Sequence, residues 1–108
     1  MMASDFVRVA ELSEIPEGTP YGAQLPDGER VCLVRVGDQV FGFEDRCSHA
    51  EFPLTAGEMV DQYVIECALH GARFDVRDGS VVELPATDPL ICYEVKIENG
   101  SVWLRKRR

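Results

Sequence analysis

Cys47-Ser48-His49, and after seventeen intervening residues Cys67-Ala68-Leu69-His70-Gly71, are the stretches that decide how this chain reads. Each couples one thiol to one imidazole two or three positions on. The two histidines are the only ones in the chain, and the two cysteines are half of its four. Two thiolates on one iron and two imidazoles on a second form the ligand set of an asymmetric two-iron, two-sulfide centre. Cys47, His49, Cys67 and His70 are therefore the candidate metal ligands. Gly71, directly after His70, lets the backbone turn tightly beside a bulky inorganic group.

Working outward, short β-branched runs alternate with turn signals, and no long segment has helical period. Strands are expected over Phe6 to Leu12, Tyr21 to Leu25, Arg30 to Val36 and Gln39 to Phe43. Pro26-Asp27-Gly28-Glu29 and Gly37-Asp38 supply the turns between them. Tyr63 to Glu66 leads into the second Cys/His pair. Ala72 to Val76 leaves it, turns at Asp78-Gly79 and returns as Ser80 to Leu84. Ile91 to Glu98 and Ser101 to Arg105 form a last hairpin around Asn99-Gly100, whose residues tolerate positive φ. Each Cys/His pair thus sits where a strand gives way to a loop. Strands at this density imply an all-β antiparallel sandwich or barrel. Leu84-Pro85-Ala86-Thr87-Asp88-Pro89 reads as a loop, not a domain boundary.

At 108 residues the chain is expected to be one domain (1–108) with room for one modest core. Its 45% apolar content is that of a globular protein. Met1 to Phe6 has neither a basic region nor an apolar run, so no secretion signal is expected. Nothing approaches the roughly twenty apolar residues of a membrane helix. The expected location is cytoplasmic, without membrane contact. A net charge of −8 argues against nucleic acid as a partner. It serves solubility, and it could also steer the protein to a basic partner. The terminal Arg105-Lys106-Arg107-Arg108 reads as a solvated tail. Cys32 and Cys92 lie in apolar strand runs and read as small buried hydrophobes, with no disulfide expected between them.

A structural zinc site is the chemical competitor, because Cys₂His₂ is a legitimate tetrahedral set. Typical zinc spacing leaves two to four residues between paired ligands, which makes Cys47-x-His49 tight. A mononuclear oxygenase iron would need two histidines and a carboxylate, and both histidines are already spent on the two loops. The chain also lacks the Gly-rich turn of a nicotinamide or flavin domain.

With these motifs in view, the chain resembles Rieske-type [2Fe-2S] ferredoxins from end to end, and especially the ferredoxin component of bacterial aromatic-ring-hydroxylating dioxygenase systems. Val7 to Pro16 looks like the entry to that domain. The resemblance implies a β-sandwich or barrel with a small cluster-binding part at about 44–86. That part would be made of the two Cys/His loops and a covering Pro loop, Leu84 to Pro89. Cys47 and Cys67 would bind the inner iron, and His49 and His70 the outer, exposed one. The implied function is not an enzyme's own chemistry but a one-electron shuttle. It would run from a flavin-dependent reductase to a terminal oxygenase, with the chain a monomer and its contacts transient. Glu51 and Glu58 would assist docking or simply be solvated.

Respiratory members carry an extra cysteine in each ligand loop, where Phe52 and Leu69 stand here and could pack as an apolar clip. They also carry a serine and a tyrosine that donate to the cluster sulfurs, where this chain has Ala72 and Phe74. Fewer donors imply a potential near the bottom of the Rieske range, about −150 mV. Small Rieske proteins of iron–sulfur cluster assembly, and the small subunit of assimilatory nitrite reductase, are alternative resemblances.

Overall fold

The computed structural model describes residues 6–47, 52–68, 71–83 and 88–106. Ten strands carry the fold: β1 (Val7–Glu11), β2 (Tyr21–Gln24), β3 (Arg30–Val36), β4 (Gln39–Glu44), β5 (Glu58–Asp61), β6 (Val64–Glu66), β7 (Arg73–Asp75), β8 (Val81–Glu83), β9 (Tyr93–Glu98) and β10 (Ser101–Lys106). Among the described residues the only helical turns are two short 3-10 segments, Leu12–Glu14 and Leu54–Ala56. The strands pair antiparallel in three sheets, ordered β1-β10-β9, β2-β3-β4 and β5-β6-β7-β8. This is the all-β architecture expected from the strand spacing.

The third strand explains how the sheets share their cores. Val31, Cys32, Leu33 and Val34 are all buried, so β3 is covered on both faces. Because side chains alternate along a strand, Val31 and Leu33 join one apolar cluster while Cys32 and Val34 join the other. The first cluster also takes Ala10, Ile15, Tyr93, Val102 and Leu104, and forms the base of the molecule. The second takes Phe43, Leu54, Ile65, Phe74 and Leu90, together with Cys47 and Cys67. β3 is thus the wall between a base core and a core that holds the candidate ligands. The strand β4 runs from the wall to β9, where Phe43 bridges Cys92 and the Glu44 N–H donates to the Ile91 carbonyl at 2.9 Å.

The turn at Asn99-Gly100 takes positive φ at both residues, 52° and 77°, as the hairpin reading required. Some details differ from expectation, among them the start of β9 at Tyr93 in place of Ile91. β1 stops at Glu11 because Leu12 opens a 3-10 turn, whose Glu14 carboxylate accepts the Glu11 N–H at 2.8 Å. Tyr63 lies in a turn before β6, with the Arg77 guanidinium 4.2 Å from its ring centre. The edge strand β5 was not foreseen: of its four residues only Met59 is even partly buried, so no alternation betrays it. No helix among the described residues is long and apolar enough to cross a membrane.

Candidate metal centre

Cys47 lies three residues beyond β4 and is 1% exposed. Its N–H donates to the Phe52 carbonyl at 2.9 Å, which brings the two ends of the intervening loop together. Outside that contact the loop is closed a second time by side chains. Asp45 follows β4 directly, and its Oδ1 accepts the Thr55 N–H while its Oδ2 accepts the Thr55 hydroxyl, both at 2.8 Å. The Asp45 side chain has no exposure to water, and the Arg30 guanidinium reaches only to 3.8 Å from Oδ2. Thr55 sits in the Leu54–Ala56 turn, whose preceding residue, Pro53, offers no side-chain cap.

Cys67 follows β6 and is likewise 1% exposed. The second loop is a hairpin. The Cys67 N–H donates to the Ala72 carbonyl at 2.8 Å, and the Gly71 N–H returns to the Cys67 carbonyl at 3.0 Å. Gly71 has φ +74°, the left-handed conformation anticipated for a glycine at this turn. Glu66 and Arg73 are partners in the β6–β7 register, and the Arg73 Nε donates to Glu66 Oε2 at 2.9 Å. The two loops meet closely where Gly57 passes β6: a Cβ at Gly57 would lie 2.1 Å from the Glu66 carbonyl oxygen.

Cys47 and Cys67 therefore converge in one apolar core, and no disulfide joins any of the four cysteines. Two sulfurs withdrawn from water and left unbridged form a donor set suited to a soft metal centre. His49 and His70 lie outside the described residues, as do Glu51, Leu69 and residues 84–87 of the covering loop. Of that loop's exit, Leu90 is buried and its N–H donates to the Gly79 carbonyl at 2.8 Å. Phe52, one half of the expected apolar clip, packs against the ligand core. Glu58 is exposed on β5.

Cys32 is fully buried in the same core, and burial first, then the Asp45 charge, pushes its thiol well above the usual range. It remains a thiol and packs as a hydrophobe. Cys92 is half-buried beneath the Asp78-Gly79 turn, where a Cβ at Gly79 would meet its Sγ at 2.8 Å. Ala72 and Phe74 are both fully buried within the ligand core and bring no hydroxyl into it. The sequence reading did not single out Asp45, Thr55, Glu66 or Arg73. The one available signal was an acidic residue two positions before Cys47, directly after β4.

A model of the Rieske [2Fe-2S] domain matches residues 5–94. The 3-phenylpropionate/cinnamic acid dioxygenase ferredoxin subunit of Escherichia coli is 33% identical over 93 residues, 86% of each chain. The ferredoxin of carbazole 1,9a-dioxygenase from Nocardioides aromaticivorans IC177 superposes with a TM-score of 0.86 at 36% identity, covering 96% of this chain and all of that one. A chain in the complex of reduced oxygenase and oxidized ferredoxin of carbazole 1,9a-dioxygenase gives a TM-score of 0.87 at 31% identity, covering 98% and 99%.

Proposed function

The chain belongs to the Rieske [2Fe-2S] domain family and has one cluster of that type as its cofactor, and from this premise we propose that it is the ferredoxin of a multicomponent dioxygenase system. Cys47, His49, Cys67 and His70 would hold the cluster, the two cysteines reaching it from the buried core. The observation that carries this reading is the placement of Cys47 and Cys67, with no disulfide, in one buried core at the bases of two closed loops. Residues 1–108 act as one domain, with the cluster-binding part at about 44–86. The protein works in the cytoplasm as a monomer.

When bound, the cluster accepts and releases one electron. The chain's own residues set the conditions for that exchange. Phe43, Leu54, Ile65 and Phe74 exclude water from the cysteine side. The Cys47 and Cys67 amides are already engaged in closing their loops. Ala72 and Phe74 have no hydroxyl to donate. A reduced centre given few donors is less stabilised, which places the potential near about −150 mV. That potential matches filling from a nicotinamide-linked flavin reductase and delivery to a terminal, aromatic-ring-hydroxylating oxygenase. The chain contributes no catalytic residue to that oxygenase.

Iron and sulfide analysis of anaerobically purified protein, followed by a redox titration read by electron paramagnetic resonance, tests the assignment. Two irons and two sulfides per chain are expected, with the low average g of a histidine-ligated cluster and a midpoint near about −150 mV. Zinc without sulfide would overturn the cluster assignment. A high midpoint would overturn the reductase and the argument from Ala72 and Phe74.

A further inference from the structure

Asp45 is, among the described residues, the one charged residue in the buried class, and its side chain is wholly withdrawn from water. A buried carboxylate is costly unless its oxygens are satisfied. Here both are, and by a single residue: Thr55 gives its N–H to one oxygen and its hydroxyl to the other. Arg30, at 3.8 Å and with its side chain 65% exposed, is a solvent-screened ion-pair partner. Thr55 is itself confined on its far side, where Gly22 of β2 leaves room for it; a Cβ there would stand 3.2 Å from the Thr55 Cγ2.

The position of this pair in the chain gives it a function. Asp45 precedes Cys47 by two residues, and Thr55 follows the return of the loop at Phe52 by three. The backbone closes this loop with the Cys47–Phe52 bond. The strand that enters, β4, and the strand that follows, β5, belong to different sheets, so no ladder continues the closure. The Asp45 carboxylate takes the place of that ladder. It also supplies the cap that Pro53 cannot give to the Leu54–Ala56 turn.

Resting on the ligand role proposed for Cys47, we infer that Asp45 is a positioning residue for the redox site: it pins the base of the first ligand loop through Thr55, and its fixed negative charge holds the reduction potential down. Two residues of chain allow at most about 7 Å between the Asp45 and Cys47 Cα atoms. A negative charge so placed, in a poorly screened interior, disfavours the arrival of another electron.

Two variants separate the parts of the inference. Asp45→Asn keeps an acceptor for the Thr55 N–H and offers an amide to its hydroxyl oxygen, so the bridge is retained and the charge removed. Asp45→Ala removes both. Midpoint potential and the half-life of cluster iron under a chelator are measured on each holoprotein. The expected result is a higher midpoint in Asp45→Asn, with g values and iron half-life like the parent's, and several-fold faster iron loss in Asp45→Ala. A residue that only supports folding would leave the Asp45→Asn midpoint where it was. That result in a cluster-bearing variant, or an Asp45→Ala protein that keeps its iron as long as the parent, overturns the inference alone. A parent protein without iron and sulfide overturns the ligand assignment and the inference together.

Discussion

In the first ligand loop the chain leaves β4 and comes back through a 3-10 turn into a different sheet, whereas in the second it leaves β6 and returns at once as β7, its neighbour. The second loop therefore inherits its closure from the ladder. Val64, Ile65 and Glu66 pair with Asp75, Phe74 and Arg73, and the Cys67–Ala72 bond is the next rung. Its side-chain pair, Glu66 with Arg73, lies partly in water, with the two side chains 26% and 43% exposed. The first loop has no rungs to continue and is held by a dry carboxylate on Thr55. Where a strand ladder continues into the loop's closure, the flanking charges are surface detail. Where a lone backbone bond closes the loop, a buried polar group reinforces it, and its removal leaves partners stranded in a dry interior.

That contrast can be broken most forcefully at Gly57, where the two loops touch. Gly57→Ala sets a methyl against a backbone oxygen that has no rotamer to escape into. It is expected to cost about 3 kcal/mol in the unfolding free energy of the holoprotein. Thr55→Val comes next: it takes the hydroxyl from Asp45 Oδ2 while keeping the shape of the side chain and the N–H to Oδ1. A loss of about 2 kcal/mol by denaturant titration is expected, since an unsatisfied buried acceptor costs roughly 1–3 kcal/mol. Phe74→Tyr, on the strand leaving the second loop, is expected to act on the midpoint. One added donor worth about 1 kcal/mol corresponds to a rise of about 40 mV for a one-electron couple. A titration showing no rise would refute the link between the missing hydroxyl and low potential. The smallest effect belongs to Arg73→Ala. Its exposed pair is expected to contribute less than about 1 kcal/mol, and less still in high salt. A cost as large as that of Thr55→Val would erase the distinction between the loops.

The same contrast explains which features are legible in the sequence. The second loop was legible because hairpins announce themselves: an apolar run into Cys67, a glycine after His70, and a run out through Phe74. β3 was legible to the residue because its centre, Val31 to Val34, is buried on both faces and apolar without interruption. The four candidate ligands followed from residue type and spacing. Asp45 and Thr55 left no comparable trace, since their meeting is a long-range contact and neither pattern nor spacing records it. β5 escaped for a related reason: as an edge strand it buries too little for its composition to betray it. The chemistry was written locally, and the means of holding it in place was written across the fold.

The contact between Glu44 and Ile91 has a consequence of another kind. The chain from Asp45 to Leu90, with both cysteines of the centre and all four strands of one sheet, departs after Glu44 and returns at Ile91, where the two residues are hydrogen-bonded to each other. The segment is an excursion whose two ends already touch, so the base closes it whatever its length. Such a segment is a cassette. It can lengthen, shorten or change its surface without re-threading the strands beneath it, and the base need only keep β4 and β9 side by side to receive it.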